Sequence, residues 1–294
     1  MNERFGLSVA LATPFQPSGE IADAALLAHA RTCLEGGCDS VTLFGTTGEG
    51  ASIAWEERCR LLGGFNEAGI TGDRLVSGIS ATAVMDAVAQ IKAAQSIGCK
   101  RVLLPPPYYF KQPEDEGVIA WYRAVFEQLD RGSVEIILYN IPSLTGVALS
   151  VDLIARLRDA LGGSIIAVKD STSDWDYTQT LLATHNDISI LVGEERHLAA
   201  AVRKGGAGAI CGMANLDPGS LRRMAWDGVE QPYINDLVEL LSKHPLIPAI
   251  KTAIAQQSDE AAWSCVRAPL LKIEEEVAAQ LQQELDLLKS RKAA

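Results

Sequence analysis

Residues 135–142 read EIILYNIP, and residues 164–171 read SIIAVKDS. Each is a short, nearly continuous apolar run that ends in a reactive side chain, Tyr139 in the first and Lys169 in the second. A strand with one wet face alternates apolar and polar residues. An unbroken apolar run is the pattern of a parallel strand covered on both faces. Six more such runs occur: SVALAT, SVTLFG, LVSGIS, RVLLPP, SILVGE and GAICGM. Between them, residues 23–34, 55–68, 83–97, 114–128, 151–161, 175–184 and 196–204 carry apolar side chains at helical spacing. Eight strand–helix repeats predict a (β/α)8 TIM barrel. A doubly wound open sheet is the alternative, but no G-x-G-x-x-G follows the first run.

Glycines punctuate the helical runs at Gly36-Gly37, Gly98, Gly132, Gly162-Gly163 and Gly205-Gly206, where a left-handed residue is often required. Beyond Pro218 no strand pattern returns. SLRRMAW, PYINDLVELLSK, IPAIKTAIAQQ and EEEVAAQLQQELDLLKS all read as helices. The expected organisation is a barrel over residues 1–217 and a C-terminal helical extension over 218–294 packed on it. No Ser/Gly/Pro-rich linker separates them.

The chain has 294 residues, 48 % of them hydrophobic, which suits one large α/β barrel. Its formal net charge of −11 disfavours nonspecific nucleic-acid binding, which needs a basic surface to displace counterions. No stretch of 18 or more apolar residues predicts a membrane span, and MNERFGLSVALATPF lacks a signal-peptide pattern. A cytoplasmic location is therefore expected. The six cysteines form no Cys-x-x-Cys pair and read as buried, reduced thiols. His29, His185, His197 and His244 show no metal-ligand clustering, and no metal is expected.

In a parallel barrel every strand's C-terminal end opens on one face, and the chemistry gathers there. The reactive residues of this chain fall at such ends. Gly45-Thr46-Thr47-Gly48-Glu49 follows strand two, and Pro105-Pro106-Pro107-Tyr108-Tyr109 follows strand four. Tyr139-Asn140 ends strand five, Lys169-Asp170-Ser171 ends strand six, and Gly193-Glu194-Glu195 follows strand seven. An amine drawn out of water after Ile165, Ile166, Ala167 and Val168 loses stabilisation of its ammonium form and becomes available as a nucleophile. The blander reading is a lysine that marks where a strand meets solvent. The Gly-Thr-Thr-Gly turn offers hydroxyls and backbone N–H groups for a carboxylate, or is an ordinary connection between strand and helix.

Taken in order, LATPF, GTTGEG, PPPYY, YNIPSLTG, VKDSTSD and GAGAICGMAN resemble the dihydrodipicolinate synthase/N-acetylneuraminate lyase family. The resemblance covers nearly the whole barrel. It implies a homotetramer, a dimer of tight dimers, and no organic cofactor or metal. It implies an imine between Lys169 and pyruvate or another 2-oxo acid, with Tyr139 as general acid/base. Thr46 would link Tyr139 to Tyr109, which the neighbouring subunit would supply. Thr46 and Thr47 would hold the substrate carboxylate, and the Ile210 backbone would line the site. Gly193 and Glu195 join the substrate-binding group.

One position departs from the family pattern. Enzymes that make the lysine precursor carry Arg in the YN-x-P-x-R-T-G turn, where this chain has Leu144. The missing charge-assisted anchor shifts the expectation toward aldolases of 2-keto-3-deoxy sugar acids. In GEERH, Glu195 would replace the first of two acidic sugar-binding residues. Arg196 reverses the charge of the second and would anchor a substrate carboxylate, unless it is simply an exposed helix-start residue. Expected partners are thus a small 2-oxo acid and an aldehyde. The rival readings are dihydrodipicolinate synthase itself, a sugar-acid dehydratase and a noncatalytic 2-oxo acid sensor.

Overall fold

The computed structural model describes residues 4–130, 132–258 and 260–293. The strands are β1 (Gly6–Ala10), β2 (Ser40–Leu43), β3 (Leu75–Gly78), β4 (Arg101–Leu104), β5 (Glu135–Asn140), β6 (Ile165–Asp170), β7 (Ser189–Val192) and β8 (Gly208–Cys211). They pair in parallel and in chain order, and β8 closes on β1. The helices between them are α1 (Asp23–Glu35), α2 (Trp55–Glu67), α3 (Val84–Ser96), α4 (Asp115–Phe126), the short α5 (Pro142–Thr145), α6 (Val151–Leu161), α7 (Trp175–Thr184) and α8 (Glu195–Arg203). After β8 come α9 (Pro218–Asp227), α10 (Pro232–Ser242), α11 (Leu246–Ser258) and α12 (Glu275–Ala293). The fold is the expected (β/α)8 barrel with C-terminal helices.

Helix α9 packs against α8 and β1 and so completes the outer ring. The boundary expected after residue 217 therefore falls between β8 and the eighth outer helix, and α10–α12 form the tail beyond the ring.

Strand parity explains the two-layered core. Residues two apart on a strand share a face. Ala10, Val76, Leu103, Ile137, Ala167, Leu191 and Ile210 fill the barrel interior, capped by Tyr139. Their neighbours Val9, Ile136, Leu138, Val168, Ile190 and Ala209 face outward into the larger cluster beneath the helices. Fully burying one such aliphatic side chain stabilises the fold by about 1.5–3 kcal/mol. The apolar runs have no wet face because both sides of every strand are covered.

Four of the six cysteines are buried, but Cys59 is exposed and Cys265 is half-buried. The expectation of buried thiols throughout is corrected here: Cys59 lies on the outer face of α2, which its apolar neighbours Leu61 and Leu62 leave to solvent. No helix among the described residues is long and apolar enough to cross a membrane.

Candidate active site

Parity also aims the reactive side chains. Lys169 lies two residues beyond the interior Ala167, and Tyr139 two beyond the interior Ile137, so both point into the barrel mouth. They are register partners across β5 and β6. Lys169 is 4 % exposed and Tyr139 5 %. The Lys169 Nζ sits 4.3 Å from the centroid of the Tyr139 ring. The Tyr139 hydroxyl is 3.1 Å from Thr46 Oγ1, so the two form a hydrogen-bonded pair.

The ends of β5, β6 and β7 are zipped together beyond the regular ladder. Ser171 N donates to Asn140 O (2.9 Å), and Gly193 N donates to Asp170 O (2.7 Å). The buried Asp170 carboxylate accepts from Thr172 N (3.0 Å), Thr172 Oγ1 (2.8 Å) and Thr178 Oγ1 (2.6 Å). Lys169 thus projects from a backbone fixed on both sides. A side chain at position 193 would meet Ser171 Oγ at 2.2 Å, which explains the glycine.

A cavity of about 380 Å³ opens over these groups. Lys169, Tyr139, Thr46, Thr47, Gly193, Glu195 and Ile210 all line it, together with Glu194. Leu246, Ile247 and Pro248 of α11 and Val238 of α10 close its outer wall. A second, mostly apolar chamber of about 310 Å³ shares Thr46 and Tyr139 and extends toward Phe44, Leu103, Pro105 and Tyr108. A larger cavity, about 800 Å³, lies at the opposite rim of the barrel. There Arg101 is paired with Glu135, and Arg158 with Asp187. Among the described residues, the lining of this cavity holds no lysine and no tyrosine, hence no counterpart of the Lys169–Tyr139 pair, so its size does not make it the site.

The remaining expected residues divide. Glu195 is buried, and its Oε1 accepts from Met213 N (2.9 Å). Burial holds its carboxyl above the ordinary carboxylate range, against that N–H, which favours the anion. Arg196 forms a bidentate pair with Glu194 (2.7 and 3.1 Å) and does not line the cavity. Burial opposes ionisation of Glu194, but the hydrogen bonds and charge of Arg196 together hold its pKa below the ordinary value. Glu194 also accepts from Ser173 Oγ (3.2 Å), which joins the loops after β6 and β7. Tyr109 is 74 % exposed, its ring edge-on to Phe110, and it lines neither cavity; its neighbour Tyr108 lines the second.

The sequence places Glu194 and Ser171 at strand ends without giving either a role, and it does not single out the serines Ser143, Ser173 and Ser242 of the same wall. Serines in loops are too common to signal a site. In the sequence Glu49 stands out only as the end of the turn after strand two and Lys251 not at all, yet the two form a buried ion pair 2.5 Å long behind the Thr46–Thr47 turn. Among the described residues, no group of three or more His, Cys, Asp or Glu is placed to hold a metal ion.

Comparison with known proteins gives a consistent result. The model of the Dihydrodipicolinate synthetase family matches residues 4–288. An uncharacterized DapA-like lyase of Chloroflexus aurantiacus is 32 % identical, with 95 % of each chain covered. A 4-hydroxy-tetrahydrodipicolinate synthase of Thioalkalivibrio sulfidiphilus is 28 % identical over 95 % of this chain and 96 % of that one. The crystal structure of dihydrodipicolinate synthase from Agrobacterium tumefaciens is 46 % identical and superposes with a TM-score of 0.94, covering 97 % of this chain and 99 % of that one. A 2-keto-3-deoxygluconate aldolase variant of Sulfolobus solfataricus shares the fold, with a TM-score of 0.84 at 18 % identity over 97 % of both chains.

Proposed function

The chain belongs to the dihydrodipicolinate synthetase family, and from that premise we propose that it is a Schiff-base lyase that makes or breaks a C–C bond between pyruvate and an aldehyde. The observation that carries the proposal is the Lys169–Tyr139–Thr46 constellation, with its register pairing and its 3.1 Å hydroxyl contact at the barrel mouth.

The Lys169 amine adds to the ketone carbon of a 2-oxo acid. Loss of water from the carbinolamine leaves a protonated imine. That imine is the electron sink, so the reaction needs no organic cofactor or metal. Removal of a proton from the adjacent carbon gives the enamine, which attacks the aldehyde carbon. The reverse sequence cleaves the bond. Each step moves a proton at the imine nitrogen, the carbinol oxygen or the new alkoxide. Tyr139 is placed to carry these protons, with Thr46 as its relay partner. A phenol alone is a poor base near neutral pH, and a hydrogen-bonded chain lowers the cost of moving its proton. Thr47 and the N–H groups of its turn would receive the substrate carboxylate.

The cavity wall bears on the second substrate. Among the described residues, Lys169 is the one Lys, Arg or His that lines it, and Leu144 occupies the turn after β5 with 61 % exposure. A second substrate carboxylate finds no further cation among these described lining residues. Ser143, Ser171, Ser173, Ser242 and Glu194 offer partners for hydroxyl groups instead. We therefore assign a hydroxylated aldehyde, the fragment of a 2-keto-3-deoxy sugar acid. The Agrobacterium relative's name favours a second reading, condensation with aspartate semialdehyde. Within the family's tetramer, the exposed Tyr109 and Phe110 would sit at a subunit contact, with Tyr109 reaching the neighbour's Thr46.

Incubating the enzyme with a panel of 2-keto-3-deoxy sugar acids and measuring released pyruvate tests the assignment. Pyruvate release from a sugar acid supports it. Consumption of aspartate semialdehyde alone transfers the assignment to the synthase, and dehydration without pyruvate release transfers it to a dehydratase.

A further inference from the structure

A buried salt bridge stands directly behind the hydroxyl turn. The Lys251 and Glu49 side chains are 0 % and 1 % exposed. Lys251 Nζ donates to Glu49 Oε1 (2.5 Å), and Glu49 Oε2 accepts from the backbone N–H of Arg267 (2.9 Å). Both cations lie over the Phe15 ring, Lys251 Nζ 4.4 Å and Arg267 Cζ 4.5 Å from its centroid. Two hundred and two residues separate the bridged partners, so the bridge ties α11 to the turn after β2.

Two features connect this bridge to the reacting groups. Glu49 adopts a left-handed backbone, φ 53°, which a residue with a Cβ rarely accepts without external support. Its N–H donates to Thr46 O (3.0 Å), so the residue clamped by its carboxylate also closes the turn that begins at Thr46. The next residue packs tightly on the end of β2: a Cβ on Gly50 would fall 1.9 Å from Phe44 O, so only glycine fits there. Helix α11 carries Ile247, which lines the cavity one turn before Lys251. The bridge therefore locks the hydroxyl turn and one cavity wall into a single arrangement.

Burying both charges is costly, and a well-packed apolar or neutral pair of similar volume often serves stability as well or better. What the charged pair supplies is one fixed geometry. We propose that Glu49 and Lys251 are positioning residues for the lyase reaction, holding Thr46 and Thr47 where Tyr139 and the substrate carboxylate need them. They touch no substrate and act through the turn. This inference rests on the imine reading above.

Solvent-deuterium exchange into the methyl group of pyruvate, followed by NMR, tests it without a second substrate, because exchange needs only the imine and its enamine. The unaltered enzyme exchanges. The double variant Glu49→Gln/Lys251→Met keeps the shape and removes both charges. We expect it to keep its circular dichroism and melting temperature. Its exchange kcat should fall about a hundredfold, the cost of a misplacement near 1 Å, and its KM for pyruvate should rise. A purely structural bridge would instead lower the melting temperature and leave kcat per folded molecule unchanged. Full exchange by the folded double variant overturns the inference and leaves the imine reading standing. No exchange by the unaltered enzyme overturns both. If the double variant does not fold, Glu49→Asp, which keeps both charges and shortens the clamp by one methylene, decides by the same two results.

Discussion

Replacing Tyr139 with Phe removes one oxygen and leaves the ring beneath the Lys169 amine, 4.3 Å from Nζ to its centroid. Two consequences separate cleanly in size. The structural loss is the contact with Thr46 Oγ1 at 3.1 Å. A neutral hydrogen bond contributes about 1 kcal/mol net. In a chain of this length that lowers the melting temperature by about 2 °C. The chemical loss is the proton carrier for every step at the imine. A positioned general acid/base is worth about 10²–10⁴ in rate. At 1.36 kcal/mol per decade, that is about 2.7–5.4 kcal/mol of barrier. Tyr139→Phe should therefore fold nearly as well as the unaltered enzyme and turn over at least about a hundredfold more slowly. Methyl exchange of pyruvate, measured beside a thermal melt, gives both numbers from one preparation. Thr46→Val should produce a related loss. The double variant should then lose less than the sum, because the two hydroxyls act as one relay. A folded Tyr139→Phe enzyme that exchanges within a few-fold of the original rate refutes the relay.

Three other outcomes follow from the same geometry. Leu144→Arg should lower the KM of a carboxylate-bearing aldehyde by about 10- to 100-fold, the value of a charge-assisted hydrogen bond worth about 1.5–3 kcal/mol, and should not improve a neutral hydroxyaldehyde. Thiol titration of the native protein should label the exposed Cys59 first, while Cys33, pushed up to about 12 by burial, and Cys99, pushed up to about 11, react only on unfolding. Burial raises the Glu195 carboxyl, so its contribution to stability is fully present below the ordinary carboxylate range and is lost as pH rises through the raised folded value. The melting temperature of Glu195→Gln, measured against the unaltered protein across that interval, should gain steadily with pH.

The barrel was legible because its strands violate the alternation of a half-exposed sheet. IIAVKD and EIILYN are apolar on both faces, and Val168 and Leu138 do pack outward while Ala167 and Ile137 pack inward. The same parity made Lys169 and Tyr139 legible, since a side chain in step with the interior can only rise into the mouth. The ion pair of Glu49 and Lys251 was not legible. A single acidic residue after a glycine turn and a lysine in a tail helix look like solvated charges, and only the folded path of α11 brings them together. Arg58 was hidden for the same reason. It lies on the buried face of α2, donating to Gly50 O (2.6 Å) and Gly78 O (3.0 Å) with its guanidinium over Phe44, partners that no spacing in the chain announces. The pairing of Arg196 with Glu194 was likewise decided by side-chain reach: two residues apart at the start of α8, the guanidinium folds back onto the carboxylate rather than into the cavity.

The central claim concerns one amine. Borohydride reduction in the presence of pyruvate, followed by proteolysis and peptide mass analysis, reads it directly. The account predicts a reduced pyruvyl adduct on the peptide that carries Lys169 and none on Lys251, whose ammonium is sealed against Glu49. An enzyme left unmodified at Lys169, or modified equally at surface lysines, would contradict it.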